Sequence, residues 1–191
     1  MCSKKQRSST SPWTQHRYDV DMMNDEYFAL ADPSLDQYFL TAPDKLSLLT
    51  QSADIRSTDH VVEVGAGIGT VAQALPPSAS LTLIELDSRF SDILKANVPD
   101  AQVIQGDALT LLRNIQCDVL ISNLPTSVTE SLIDLLPELS FRTAVIAMST
   151  ETLLDRLKPH FHYKIVATIG HEDFRPPQPV QSMLVKATRV I

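Results

Sequence analysis

Asn123, Leu124 and Pro125 close the apolar run "VLISNLP". A side-chain amide beside a backbone carbonyl, on a turn stiffened by proline, can accept N–H protons and grip a nitrogen atom. Two acids close earlier apolar runs in the same way. Glu85 in "IELD" follows Gly69 by sixteen residues, and a carboxylate there can accept from both hydroxyls of a ribose. Position favours Glu85 over Asp87. Asp107 in "GDAL" can accept from the amino group of an adenine. Ahead of both, Gly65, Gly67 and Gly69 are spaced G-x-G-x-G in "EVGAGIGTV". Glycine allows a sharp turn and brings backbone N–H groups close to a ligand. Thr70 breaks the G-x-G-x-x-G of a nicotinamide site, and no Gly-Lys-Ser/Thr follows as in a phosphate loop. A single acid at the end of a strand is ordinarily a solvated cap. Three polar sites at consecutive strand ends point to a ligand.

Those residues need a frame that brings strand ends together. From Leu46 the pattern is regular. "DKLSLLTQSADI" has helical spacing, "HVVEV" reads as a strand, and "GTVAQALPP" as a helix stopped by Pro76 and Pro77. "SLTLIELD" is a second strand and "SRFSDILKANV" a helix with Ser88 as its N-cap. "AQVIQGDAL" and "CDVLISNLP" are further strands, "SVTESLIDLLPEL" a helix, "FRTAVIAMS" a fifth strand and "TETLLDRLKPH" a helix. "HYKIVATIG" and "VQSMLVKATRV" end the chain as an antiparallel pair. Alternation of this kind predicts an α/β fold, a mostly parallel sheet with helices on both faces. Ligands in such sheets lie beyond the carboxyl ends of the strands.

The 191 residues suit one domain, and 43% apolar content suffices for a core. No apolar run reaches the roughly 18 residues of a membrane span, and "MCSKKQRSSTSPW" lacks the apolar stretch of a signal peptide. Cys2 and Cys117 make no disulfide framework, so a reducing, cytoplasmic setting is expected. The net charge is −7 and uneven: residues 1–17 carry four bases and no acid, whereas residues 18–59 carry nine acids against Lys45 and Arg56. Residues 1–17 read as a disordered basic tail. Residues 18–45 form an acidic segment that either packs as a short helix or loop or covers a pocket as a lid. Residues 46–191 form the domain. A protein that grips a nucleic-acid backbone ordinarily presents a basic face, so the charge lends RNA little support.

Six motifs in order resemble one family. "QYFL" (Gln37 to Leu40), "VVEVGAGIGTVAQAL", "IELD", "GDAL", "ISNLP" and "FRPPQPVQS" match the ribosomal RNA adenine dimethyltransferases and their erythromycin-resistance relatives. The resemblance implies a Rossmann-like class I methyltransferase with a seven-stranded sheet and an antiparallel final strand. It implies S-adenosylmethionine as cofactor and adenine N6 of RNA as acceptor. Gly65 and Gly67 would face the methionine part, with Gln37 and Tyr38. Glu63 would orient the glycine loop. Glu85 would hold the ribose and Asp107 the adenine amino group, with Leu86 and Ala108 flanking the ring. Asn123, beside the cofactor, would act with the Leu124 carbonyl and Pro125 on the acceptor. Because an adenine amino nitrogen is conjugated and a poor nucleophile, carbonyl acceptors that pull it towards tetrahedral geometry do most of the work.

The substrate half departs from the family. Thr126 stands where an aromatic would stack on the target base, an interaction of about 1–3 kcal/mol. Phe174 is the candidate to replace it, before Tyr38, Trp13, Tyr18, Tyr27 or Phe28. Tyr38 replaces Asn or His, "ADPSLD" replaces basic residues, and the chain ends at Ile191 where the family continues into a helical domain. A protein partner in place of that domain, a small-molecule or protein amine as acceptor, and a non-catalytic cofactor-binding assembly factor are the competing expectations. His160 and His162 flank Phe161 without a third ligand nearby, so no metal is expected.

Overall fold

The computed structural model describes residues 25–190. The basic stretch 1–17, and with it Trp13, lies outside the described residues, as does Tyr18.

The chain opens with α1 (Asp25–Phe28) and a 3-10 turn at Pro33–Leu35, then a short strand, β1 (Phe39–Leu40). Phe28, Phe39 and Leu40 are buried, so this acidic segment is anchored by its few apolar side chains. Helix α2 (Pro43–Ala53) starts at a proline in its first turn, buries Leu46, Leu49 and Ala53 along one stripe, and stops where Asp54 turns left-handed (φ 49°).

The crossover units follow as expected: β2 (His60–Val64), β3 (Ser80–Glu85), α3 (Ser91–Asn97), β4 (Gln102–Gln105), α4 (Ala108–Leu111), β5 (Val119–Ser122), α5 (Thr126–Leu135), β6 (Thr143–Met148) and α6 (Thr152–Leu157). The chain then forms β7 (Phe161–Ile169), β8 (Phe174–Arg175) and β9 (Ser182–Arg189). The main sheet has seven strands in the order β4-β3-β2-β5-β6-β9-β7. Strands β2 to β6 are mutually parallel, and β9 inserts antiparallel between β6 and β7. The small strands β1 and β8 pair separately, Leu40 opposite Phe174.

Two local expectations need correction. The stretch after the glycines is not an α-helix but one 3-10 turn, Ala72–Ala74. Only six residues separate Gly69 (φ 89°) from Pro76, too few to repay the cost of starting a longer helix. Ser88 is not the N-cap of the next helical segment. Asp87 is, its carboxylate accepting from Arg89 N at 3.0 Å.

The two faces of the sheet bury separate clusters. One packs β2, β5 and β6 against α2 through Leu46, Leu49, Val61, Ile121 and Val145. The other packs against α5 and α6 through Leu120, Leu132, Ile146, Leu153 and Leu157. The chain runs outward through β2, β3 and β4, then returns to place β5 on the other side of β2. The strand order reverses between β2 and β5, and a crevice opens at their carboxyl ends. Among the described residues no helix is long and apolar enough to cross a membrane.

Candidate active site

The crevice is a cavity of about 600 Å³ over the ends of β2 to β6. The glycine loop forms its floor. Gly65, Gly67 and Gly69 all have positive φ, at 70°, 55° and 89°. A Cβ on Gly65 would lie 2.5 Å from Leu124 Cδ2 and 3.5 Å from the Asn123 carbonyl oxygen. The glycine loop and the Asn-Leu-Pro turn are therefore in van der Waals contact. A Cβ on Gly67 would lie 2.5 Å from Phe39 Cε1. Phe39 packs edge-on against Phe28 and Phe90, with ring centroids 6.2 and 5.6 Å away, and has little room to yield. Gly67→Ala combines that clash with a left-handed backbone. We expect it to cost about 2–4 kcal/mol, read as a lower urea midpoint. An unchanged midpoint would show that the Phe39 cluster gives way.

Glu85 ends β3 and is buried. Its Oε2 accepts from Gly67 N at 2.8 Å and its Oε1 from Asp87 N at 2.8 Å. Each oxygen keeps a second lone pair. Burial pushes the Glu85 carboxyl up, and these backbone donors pull it partly back. Glu63, on β2, is 2% exposed, and its Oε2 has no hydrogen-bond partner. Burial, and then the neighbouring Glu85 charge, push its carboxyl up to about 8. Glu63 therefore does not orient the loop as expected: the carboxylate that holds Gly67 N belongs to Glu85, while Glu63 presents an unpaired oxygen in the cavity wall.

Gln37 lines the cavity, but its side chain is already engaged. Its Nε2 donates to Asp87 Oδ2 at 3.0 Å, and its Oε1 accepts from Asp32 N at 2.9 Å and from the Arg89 guanidinium at 3.3 Å. The Arg89 guanidinium, then the Gln37 amide, hold the Asp87 carboxyl well below the usual carboxylate range. Residues 34–39 thus cross the cavity mouth, tied to the β3 end by Gln37. They are tied to α5 by Asp36, left-handed at φ 59°, whose Oδ2 accepts from Thr126 N at 3.3 Å.

Leu86 is 70% exposed and Ala108 is buried, and both line the cavity with Asp107 between the β3 and β4 ends. Asp107 also caps α4, accepting from Leu109 N at 3.0 Å and Thr110 Oγ1 at 2.9 Å. Asn123, Leu124, Pro125, Thr126 and Tyr38 line the other side. Asn123 Nδ2 donates to the Tyr38 carbonyl at 3.3 Å, which orients the amide and leaves its Oδ1 without a partner among the described residues. The Leu124 carbonyl accepts from Thr129 Oγ1 at 3.1 Å.

Phe174 is the other correction. It is 2% exposed, packs in the α2-side core and does not line the cavity. The β1–β8 pairing places it beside Leu40, on the buried side of that ribbon, so it cannot offer a ring face to a base. The Thr126 hydroxyl instead meets Ser149 Oγ at 2.6 Å. Ser149 and Asp36 line the cavity without having been identified by the motifs, and Asp87, passed over for Glu85, lines it as well. Ser149 follows the end of β6, so carrying the strand-end rule one strand further would have found it.

Known proteins share the sequence and the fold. The family model described as "Ribosomal RNA adenine dimethylase" matches residues 30–189. Ribosomal RNA small subunit methyltransferase A of Corynebacterium efficiens is 31% identical over 184 residues, covering 81% of this chain and 64% of the relative. The dimethyladenosine transferase of Chaetomium thermophilum is 28% identical over 179 residues, covering 81% and 47%. The chain thus spans less than two thirds of either relative. Among solved structures, a dimethyladenosine transferase from Plasmodium falciparum superposes with a TM-score of 0.72 at 26% identity, over 80% of this chain and 63% of that one. The 23S rRNA methyltransferase ErmE superposes at 0.69 with 20% identity, over 80% and 70%, a likeness of fold alone. With its six motifs gathered around one crevice and a family model spanning nearly all of its described length, this chain belongs to the ribosomal RNA adenine dimethylase family.

Proposed function

We propose that the protein is an S-adenosylmethionine-dependent methyltransferase acting on adenine N6 of RNA. The observation that carries this reading is the contact between Gly65 and the Asn123-Leu124 turn. A glycine loop suited to the methyl donor and a turn suited to gripping an amine then line one cavity side by side, which supports direct transfer between them. The names of the relatives, ribosomal RNA methyltransferases and dimethyladenosine transferases, support RNA adenine as the acceptor.

The cavity residues fit the cofactor. The orphaned Glu63 oxygen in a buried wall suits a ligand that brings a positive charge, such as the ammonium of a methionine moiety. Glu85 has lone pairs left for ribose hydroxyls, Asp107 for an adenine amino group, and Leu86 and Ala108 offer apolar surface to a ring. When bound, S-adenosylmethionine supplies an electrophilic methyl group on a sulfonium. Asn123 Oδ1 and the remaining lone pair of the Leu124 carbonyl would bind the two N–H protons of the acceptor amine, leaving its lone pair free to bond to the methyl carbon as the sulfur departs as a neutral thioether; the nitrogen would then lose one proton to solvent. Tyr38 fixes Asn123, and Thr129 fixes Leu124. Thr126, paired with Ser149, supplies a hydroxyl edge where a stacking ring would otherwise hold the base.

The test is incubation with methyl-tritiated cofactor and small ribosomal subunits, followed by digestion and mass spectrometry of the nucleosides. Label in N6-methylated adenosine is the expected result. Cofactor binding with no labelled adenosine would refute the acceptor assignment. Glu85→Ala is expected to weaken cofactor affinity at least tenfold by calorimetry, since hydrogen bonds to a charged group contribute about 1.5–3 kcal/mol each. Unchanged affinity would remove Glu85 from the ribose.

A further inference from the structure

We infer that the groove at the end of the sheet opposite the cavity, lined by Arg142, His162, Lys186 and Arg189, is a docking surface for the sugar-phosphate backbone of RNA. Such a surface presupposes RNA as the substrate, and so rests on the function proposed for the cavity. The groove encloses about 620 Å³ and opens beside the amino end of β6, away from the strand ends that hold the glycine loop.

The distribution of unpaired cations carries it. Twelve Lys and Arg residues lie among the described residues, and eight of them have a carboxylate within ion-pair distance. The four without one among the described residues are Arg56, Lys164, Lys186 and Arg189. Three of these are on or beside the groove through β7 and β9, and Arg56 lies in the turn that leads to Asp59.

Asp54 also lines the groove, but it and the neighbouring carboxylates have partners. Asp54 and Asp59 both take the Arg142 guanidinium, at 3.5 and 2.6 Å, and Asp118 accepts from His60 N at 2.7 Å. Lys164 stands directly opposite Lys186 across the β7–β9 ladder. Like charges in that position destabilise a sheet, and an anion laid across the pair relieves them. A lysine on an edge strand also discourages edge-to-edge pairing. That accounts for Lys164 on β7 but not for Lys186 on β9, which is an interior strand. Arg189 is held ready: its guanidinium lies 5.3 Å over the Phe141 ring and 5.6 Å over the Phe161 ring, and it donates to the Leu136 and Pro137 carbonyls. At the cavity rim Asp87 is paired with Arg89 and Asp36 adds a further acid, so a polyanion gains more attraction at the opposite end of the sheet.

The experiment compares the wild-type chain with Lys164→Gln/Lys186→Gln, using a short fluorescent duplex RNA and anisotropy over a series of KCl concentrations. The variant is expected to bind about tenfold more weakly near 0.1 M salt. Its log–log salt slope should fall by roughly 2, close to one unit for each phosphate that is no longer neutralised. Its cofactor affinity should match wild type, and its melting temperature should be equal or higher, because a like-charge pair is removed. Unchanged RNA affinity and slope in the variant, with adenosine methylation intact in the wild type, would overturn the docking surface and leave the proposed function standing. Wild-type protein that neither binds nor methylates RNA would overturn both. Tighter wild-type binding to polyglutamate than to RNA at equal salt would overturn it in favour of an acidic protein partner.

Discussion

Asn123→Ala is expected to cut the rate of methyl transfer by about 10²- to 10³-fold, the range found when one preorganised polar group is removed from a transition state. Cofactor affinity should stay within about threefold of wild type. The Asn123 amide is oriented by a 3.3 Å bond to the Tyr38 carbonyl, and its Oδ1 is spare among the described residues. No other side chain at the β5 end supplies a carbonyl beside Leu124. The lost bond to Tyr38 is long and partly buried, and losing such a bond costs about 0.5–1.5 kcal/mol, so the fold should persist. Asn123→Asp keeps an acceptor oxygen but sets a carboxylate against the Tyr38 carbonyl, and it should fall between Ala and wild type. Single-turnover transfer from tritiated cofactor, with calorimetry alongside, makes the measurement. An alanine variant with normal turnover would move the acceptor grip elsewhere, towards Asp36 or Ser149.

Glu63 should make the protein less stable as pH rises from about 4.5 to 8. Its folded pKa of about 8 lies above an ordinary value of 4.5, so folding takes up a proton in that window. The stability this group allows is complete below pH 4.5 and is lost as pH rises through the folded pKa. At pH 7 the cost is about 3 kcal/mol, at 1.36 kcal/mol per unit. Glu85, also raised by burial, adds in the same direction. Glu63→Gln should flatten the decline in urea midpoint between pH 5 and 8. Binding a cation beside Glu63 reverses the cost, so the cofactor should displace close to one proton at pH 7. Calorimetry in buffers of different ionisation enthalpy reads that number directly. Zero proton release in wild type, or equal release in Glu63→Gln, would detach Glu63 from the ligand.

The strand ends were legible because buried parallel strands read as apolar runs, and the residue after such a run stands at a sheet end. That is why Gly65, Glu85, Asp107 and Asn123 fall around one crevice. Helices with clear apolar stripes, α2 and α5, were legible for the same reason. Short segments were not. The turn after Gly69 has helix-forming residues, but the positive φ of the loop and the pair Pro76-Pro77 leave one turn. The choice between Asp87 and Ser88 as cap depends on where the backbone bends after β3, which residue type alone does not decide.

The sequence by itself determined the fold class, the order of the cofactor motifs and the family, because periodicity and strand-end chemistry are local properties of the chain. Only the tertiary structure decided which way individual side chains face. Pairing between β1 and β8 buried Phe174, far along the chain from Leu40, and removed it from the acceptor pocket. The placement of β3 beside β2 gave the glycine loop to Glu85 and left Glu63 unpaired. Insertion of β9 between β6 and β7 set Lys186 against Lys164. Each outcome depends on contacts between residues distant in sequence, where burial and hydrogen-bond geometry, rather than residue type, determine what a side chain can do.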